Sequence, residues 1–571
     1  MVGMVVRDRA WRTLAPSRLI ERASHDRWTV AARTPVGSAL LLWRLAFLPR
    51  ASGMDVHVKI RARGDVVTNR TGLVVLLPAM TFAGAPFVVR HTDASEERGE
   101  LPRQIAAHQP MLDVVGLRVS VPGGPALALT FEGDTFEMED QRNWLDPSFK
   151  LYNRPLSRPF PYRIPDGAEI EQRIGIDVVR MPTRRATRAI AWIGDGRGVR
   201  RDRPAPMPEL GIATAPARVP RRAEVVDALR TLRPDFVLHL TDSHASGLRA
   251  AARLARGLEA ELRVESFGDS KALADALRAV DPQCVAPYFS GPLVNAALSD
   301  THTQRTGGTF ADFVMLNRNG LSGSPRRATF ALCPTVHARD DRSLIETVEA
   351  MPAVFAQARR IAGGRPLDVG PCSLLRRLVP LTGKPAVRGP AGSNELYDID
   401  PRQHEHLAAA WLACVIAIAA DTGIASVCTF EAEGPRGLVY RSTKAMPGRR
   451  VAVLGRSSSY RVLDAFADIG ANAVTLFDVR PGHGAAFLVH GEWQELWLVD
   501  LIGARRRLPG QALATGHVLH LRQVGEGGRW SALPTAGRIE SYAIARVASP
   551  RATRTGLRSL ARAWCLGDGD R

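Results

Sequence analysis

The sequence predicts three folded parts in series: an N-terminal antiparallel β-sandwich, a central (β/α)8 TIM barrel and a small C-terminal β domain. Three observations carry that expectation. Between Asp55 and about Val179 the chain is a series of short runs alternating apolar and polar residues, broken by Gly, Pro and Asp, as half-buried antiparallel strands require. From Leu210 to Phe430, eight short apolar runs alternate with Ala/Leu/Arg-rich stretches of helical period, the signature of a closed parallel barrel. After Tyr460 the rhythm returns to alternating strands. The chain has 571 residues, so at roughly 150 residues per domain it holds three or four domains, each able to bury a core.

Residues 1–54 are read as an extension, disordered or translated from an upstream start. Their stretch Val36–Gly53 is apolar after a basic region, but Arg44 interrupts it and it lies too far from Met1 for a signal peptide. The sandwich is placed at 55–180, from the runs DVHVKIRA, LVVLLPA, FVVRHT, GLRVSV, ALALTFEG and IGIDVV, and an Arg/Pro/Gly-rich linker at 181–208. The barrel, at 209–470, takes its strands from LGIATA (210–215), DFVLHL (235–240), ELRVES (261–266), QCVAPY (283–288), DFVMLN (312–317), ATFALC (328–333), PLDVG (366–370) and ASVCTF (425–430). VLDAFADIG supplies its last helix, 471–548 forms the second β domain, and 549–571 is an amphipathic tail with a frayed end.

Charge excludes less than it first suggests. The net charge is +19, but only five of the 76 basic residues are lysine, leaving seventy-one arginines. That imbalance reads as codon bias. No basic stripe with interleaved aromatics and no zinc-finger, helix-turn-helix or RNP-like pattern is present, so a nucleic-acid partner is not expected. No run of about twenty apolar residues predicts a membrane helix. Six cysteines without CxxC or regular spacing read as reduced, buried thiols, which suits the cytosol.

The segment FEMEDQRNWLDPSFKLYNRPL, Phe136 to Leu156, concentrates acids, bases and aromatics in a strand and its following loop. In a strand Glu137 and Glu139 share one face, roughly 7 Å apart, while Phe136, Met138 and Asp140 share the other. Two such carboxylates need a cation, a polyol or a metal between them, and Arg142, Lys150 and Arg154 are the local cations. An ion-pair network pinning a domain junction is the competing account.

This segment resembles the signature of the D-apionate lactonase family of sugar-acid lactonases. So do, in order, NRTGLVVLLP (69–78), AGAPFVVRHTD (83–93), AHQPMLD (107–113), LNRNG (316–320), CPTVHARDD (333–341), VGPCSLLRR (369–377) and TFEAEGPRGL (429–438). The resemblance covers about Val56 to beyond Tyr460. It implies a small-molecule sugar lactone as substrate, D-apionolactone opened to D-apionate in apiose catabolism, and a fold in agreement with the periodicity. The chain departs from the pattern in the loop LDPSFKLY, at Cys333 where an Asn is expected, and at Pro435 where a Trp is expected before Arg436. These departures remove a hydroxyl partner and a sugar-stacking ring.

Lactone hydrolysis needs a base for water, a donor for the oxyanion and a group to assist the leaving alkoxide. Acids at the barrel strand ends are Asp242, Glu265, Asp340, Asp341 and Glu431, with His244 and His337 close by in sequence. The catalytic candidates are His337 with Asp340 or Asp341, and Glu431. Asn317, Arg318 and Asn319, read as following strand five, and Arg436 are substrate-binding candidates. Glu139 as a further catalytic group, with Asp140, Arg142, Asn143, His108 and Gln109 as substrate contacts, is expected to complete a shared pocket from the first domain. Bland accounts compete: Asn317 and Asn319 as helix caps, His337 as a core histidine, Glu431 with Arg436 as a structural ion pair. A glycoside hydrolase is the alternative function, yet a retaining one needs carboxylates at strands four and seven about 5 Å apart, where APYFSG and VGPCSLLRR carry none. A non-catalytic carbohydrate-binding protein comes third. No GxSxG or HExxH is present and His404 and His406 do not share a face, so no cofactor is assigned; a divalent cation at Glu137, Glu139 and Asp140 stays open. Oligomeric state is not legible.

Overall fold

The computed structural model describes residues 1–121, 123–180, 204–214, 219–241, 245, 247–266, 269–287, 292–299, 302–375, 400–446, 449–480, 482–503, 506–507, 516–520, 529–532, 538–539, 541–548, 560–561 and 564–565. They fall into two units, 1–198 and 199–571.

The first unit is built on one antiparallel sheet of thirteen strands. Residues from both ends of its strand order, Val30 and Leu41 at one and Val6 and Leu73 at the other, join one apolar cluster with Val56, Leu117 and Phe136. A sheet whose opposite ends share a core folds over on itself, as the predicted sandwich requires. Residues 1–54 are not an extension. Val2–Arg7, Ser17–Ala23, Trp28–Val36 and Ala39–Arg50 are strands of this sheet. Leu41, Trp43 and Leu45 point into the core and Arg44 points out, so the arginine that looks like an interruption is the outward residue of a period-two strand. Trp43 Nε1 donates to Thr34 Oγ1 at 3.0 Å across that hairpin.

The second unit holds the barrel. Strands Glu209–Thr214, Phe236–Thr241, Glu261–Ser266, Cys284–Pro287, Gln304–Asp312, Arg327–Leu332, Leu367–Cys372 and Ser426–Glu433 pair in parallel order. Strand one closes on strand eight through Glu209 with Ser426 and Gly211 with Cys428. Strand five is not DFVMLN, as the apolar run suggested, but the preceding QRTGGTFAD. Its glycines hide it from a hydrophobicity reading, and Gly308 is there for proximity: φ is +110° and a Cβ would meet the Thr329 carbonyl oxygen at 2.2 Å. Phe313–Asn319 is the helix that follows, burying Phe313, Val314 and Leu316.

On the barrel floor Arg263 donates to Gln283 Oε1 and Ser426 Oγ, each at 3.0 Å, and to the Glu209 and Glu261 carboxylates. Arg327 clamps Asp368 through bonds of 2.8 and 2.6 Å.

The C-terminal sheet runs, in order, Ala205–Pro206, Ala473–Arg480, Gly484–His490, Gln494–Asp500, Ile544–Ala548, Gly516–His520 and Arg529–Ala532. Its outermost strand comes from the end of the predicted linker, whose residues 181–203 lie outside the described ones. Leu560, Ala561, Trp564 and Cys565 of the predicted tail sit in this domain's core, and Trp564 Nε1 donates to the Val499 carbonyl at 3.0 Å. Helix His406–Thr422 is buried on nearly every face because strand eight lies on one side of it and the C-terminal sheet on another.

Candidate functional site

Reactive groups on a parallel barrel gather where the strands end, so the strand ends are the place to look. Three of them are irregular. Between Gly211 and Ala213 of strand one, strand eight advances from Cys428 to Glu431, one residue more than its partner. Strand seven gains a residue against strand six between Val369 and Cys372, and strand five gains two between Gly308 and Asp312. Cys428 and Ala213 both lie in the small apolar cluster inside the barrel. The extra residue therefore brings Glu431 onto the inward face, opposite Ala213, where regular alternation would have turned it outward.

Glu431 meets a cation there. Arg436 Nη2 donates to its Oε1 at 2.6 Å, both side chains being about nine-tenths buried. The tight turn between them holds the arginine back over the strand: Gly437 N donates to the Gly434 carbonyl at 2.8 Å, and a Cβ on Gly437 would meet the Glu433 carbonyl carbon at 2.5 Å. Glu265 on strand three lies on the barrel's inner face and is 1% exposed. Asp312, at the end of strand five and paired with Ala331, is also buried. The sequence reading missed Asp312 as a site residue because it placed strand five one element too late.

The other barrel candidates fare unequally. His337 is half-buried in the loop after strand six. Asp340 is exposed and caps helix Asp341–Ala362, accepting from Ser343 N at 2.9 Å. Asp341 is paired with Arg402 at 2.6 Å, which also clamps Asp400. Asn317, Arg318 and Asn319 do not follow a strand; they form the last turn of helix Phe313–Asn319, and Asn317 Oδ1 accepts from Gln357 Nε2 at 3.3 Å. Cys333 is buried with its thiol toward the Leu374 carbonyl. Asp242 and His244 lie outside the described residues.

In the first unit, strand Phe136–Asp140 pairs with Ser148–Tyr152 so that Glu137 faces Tyr152 and Glu139 faces Lys150. The two sides of the strand have different uses. Asp140 clamps Arg142 with bonds of 2.9 and 2.6 Å, Arg142 donates on to the carbonyls of Pro102, Arg103 and Gln104, and Asn143 Nδ2 donates to the Ala106 carbonyl at 2.6 Å. These three residues fasten the 102–106 loop. On the opposite side Tyr152 donates its hydroxyl to Glu137, which also accepts from Leu156 N at 2.8 Å, and Lys150 Nζ donates to Glu139 at 2.9 Å. Burial pushes Glu139 up, but Lys150, Arg70 and Arg7 outweigh it and hold the carboxyl at about 2. Burial, opposed by Glu139 and reinforced by Arg7 and Arg70, brings Lys150 down to about 8. A carboxylate held that low stays ionised and is a weak base, suited to accepting hydrogen bonds rather than moving protons. Gln109 Nε2 donates to the Tyr152 hydroxyl oxygen at 3.4 Å, while His108 is exposed. No group of three or more His, Cys, Asp or Glu residues among the described residues is placed to hold a metal ion, and no described helix is long and apolar enough to cross a membrane.

Comparison with known proteins gives these features a family. Residues 1–181 match the D-apionate lactonase N-terminal domain, and residues 292–471 match the D-apionate lactonase TIM barrel domain. The first match includes the four strands that precede Met54. A D-apionate lactonase of Brucella anthropi is 27% identical over 551 residues, 88% of this chain and 87% of that one. Among solved structures, a putative aldose 1-epimerase of Escherichia coli K12 aligns with 31% of this chain and 83% of its own at 11% identity and a TM-score of 0.22. A GH36 alpha-galactosidase of Geobacillus stearothermophilus aligns with 96% of this chain and 87% of its own at 10% identity and 0.26. A glycoside hydrolase family 30 xylanase of Clostridium acetobutylicum aligns with 60% of this chain and 95% of its own at 9% and 0.34. Scores this low carry no argument about function. With both domain matches in place, the chain belongs to the D-apionate lactonase family.

Proposed function

We propose that the protein is a lactonase that opens a sugar-derived lactone, D-apionolactone to D-apionate, with Glu431 and Arg436 at the centre of the reaction. The observation that carries this reading is the extra residue in strand eight, which turns Glu431 inward at the strand end and places it against one guanidinium. A carboxylate with a cation beside it suits acyl chemistry, which needs a base for water and a positive group for the oxyanion.

Glu431 takes the proton of a water as its oxygen bonds to the lactone carbonyl carbon. The negative charge arriving on the carbonyl oxygen is met by Arg436. Collapse breaks the bond from that carbon to the ring oxygen, which leaves with the proton returned by Glu431 or supplied by His337. The new carboxylic acid ionises at neutral pH, so turnover releases one proton. Asp340 and Asp341, committed to a helix cap and to Arg402, have no part in this scheme.

The test follows proton release in weak buffer with D-apionolactone, a panel of other aldonolactones and aryl glycosides, with and without EDTA. Glu431→Gln is expected to lower kcat/KM by roughly 10²- to 10⁴-fold, the usual share of a general base, and Asp340→Ala to leave it unchanged. Lactone turnover by Glu431→Gln at the parent rate, or no lactone turned over by the folded parent, would refute the proposal.

A further inference from the structure

The face of the N-terminal sheet that carries Glu139 contains a buried cation with no hydrogen-bonded counter-group among the described residues. Arg70 is 3% exposed, and its guanidinium lies over the Tyr152 ring at 3.5 Å from the centroid and over Trp11 at 5.4 Å. Contact with aromatic rings satisfies the charge of a guanidinium without supplying hydrogen-bond acceptors to its N–H groups. Among the described residues none accepts from it and no carboxylate lies within ion-pair distance; Nε is sealed from solvent without a partner, while the two terminal nitrogens keep access to it. Arg7 is its cross-strand neighbour, and Lys150 stands two residues before Tyr152 on the same face. Glu139, bonded to Lys150, feels the charge of both arginines.

The surroundings add a partner for hydroxyls. Asn153, 1% exposed, has a side-chain carbonyl with no donor. Gly72 lies between Arg70 and Val74, the residue paired with Tyr152, and a Cβ there would meet the Asn153 amide at 2.2 Å. The absent side chain is what lets the Asn153 and Gln172 amides pack against this strand.

We propose that Arg70, with Lys150 and Arg7, binds the carboxylate of a small sugar acid, while Glu139 and Asn153 accept hydrogen bonds from its hydroxyls. Three cations against the carboxylates of Glu139 and Glu137 leave one positive charge that an anion satisfies, and an ionised carboxylate beside them favours a ligand that also carries hydroxyl donors. An aldonate has both. The anion site stands on the geometry of this unit alone; its assignment to the product class of the enzyme rests on the lactonase reading above.

The experiment is calorimetric titration of the full chain with D-apionate, D-erythronate, erythritol and acetate, alongside thermal melting. Both aldonates are expected to bind at least tenfold more tightly than erythritol or acetate. Arg70→Met should weaken aldonate binding at least tenfold without lowering the melting temperature of the free protein, because it removes a buried guanidinium that no described group accepts from; a purely structural arginine would lower it. Lys150→Gln, which retains a donor to Glu139, should weaken binding in the same direction. Erythritol binding as tightly as erythronate, or Arg70→Met binding aldonates like the parent, would overturn the proposal. Aldonate binding through Arg70 in a protein that turns over no lactone would retain the site and remove the lactonase reading, whereas lactone turnover without aldonate binding would do the reverse.

Discussion

Arg263 on the barrel floor and Arg70 on the N-terminal sheet are both 3% exposed, and each lies flat on an aromatic ring, Phe236 at 3.8 Å and Tyr152 at 3.5 Å. They differ in what surrounds their edges. Arg263 finds Gln283, Ser426, Glu209 and Glu261, so its burial is compensated at every turn. Arg70 finds no acceptor among the described residues. A buried cation whose partners all come from its own chain holds strands together, and one left without them is available to a ligand. The Glu431–Arg436 pair at the barrel mouth stands between these cases, paired yet placed where strands end.

The contrast breaks most visibly at the floor. Arg263→Met should destabilise the protein by about 1–3 kcal/mol, the usual cost of leaving buried polar groups without their partner, because Ser426 and Gln283 lose their donor while Glu209 and Glu261, each nearly half exposed, regain water. Chemical or thermal unfolding beside Arg70→Met reads the difference, and equal losses in the two variants would erase the distinction drawn between them.

A second effect sharpens it through pH. Lys150 titrates at about 8 in the folded protein against about 10.4 for an unperturbed lysine, so between those values the unfolded chain binds more protons. Stability contributed by this group therefore rises with pH across about 8 to 10.4, by linkage, and the rise should vanish in Lys150→Met. Aldonate affinity should move the other way, constant below about 8 and declining above it as the ammonium is lost. For Glu139 the sign reverses: its folded value near 2 lies below the ordinary 4.5, so its contribution is full above about 4.5 and is lost as pH falls toward 2. The Arg263 cluster, whose arginine is pushed up by its surroundings despite its burial, should add no slope in the alkaline window. The smallest effect belongs to Asp340: replacing this cap by Ala should cost about 1 kcal/mol of stability, with lactone turnover intact.

Most of the barrel was legible because seven of its strands are apolar runs set between amphipathic helices. Strand five was not, since Gly308 serves close approach to strand six rather than burial, and the apolar run after it is a helix. That error displaced Asn317, Arg318 and Asn319 and hid Asp312. The first 54 residues were misread because one outward arginine imitates a broken signal segment. Glu431 and Arg436 could be picked from their position after strand eight, but not the register shift that turns the glutamate inward, which exists only against strand one. Near Glu139 the sequence offered Lys150 as a partner. Arg7 and Arg70 could not be offered, because neighbouring strands of this sheet bring together residues far apart in the chain.

Helix His406–Thr422 makes the customary inventory of domains misleading for this part of the chain. A helix with apolar residues on all sides has no face to give to water, so cutting the chain after Ile469 would strip its C-terminal-sheet side and expose the apolar surface the sheet now covers. The barrel and the sheet that follows it are thus one cooperative block, lost or recovered in a single transition. An expression fragment ending at the barrel's last helix would be an aggregating half of a fold rather than a smaller enzyme.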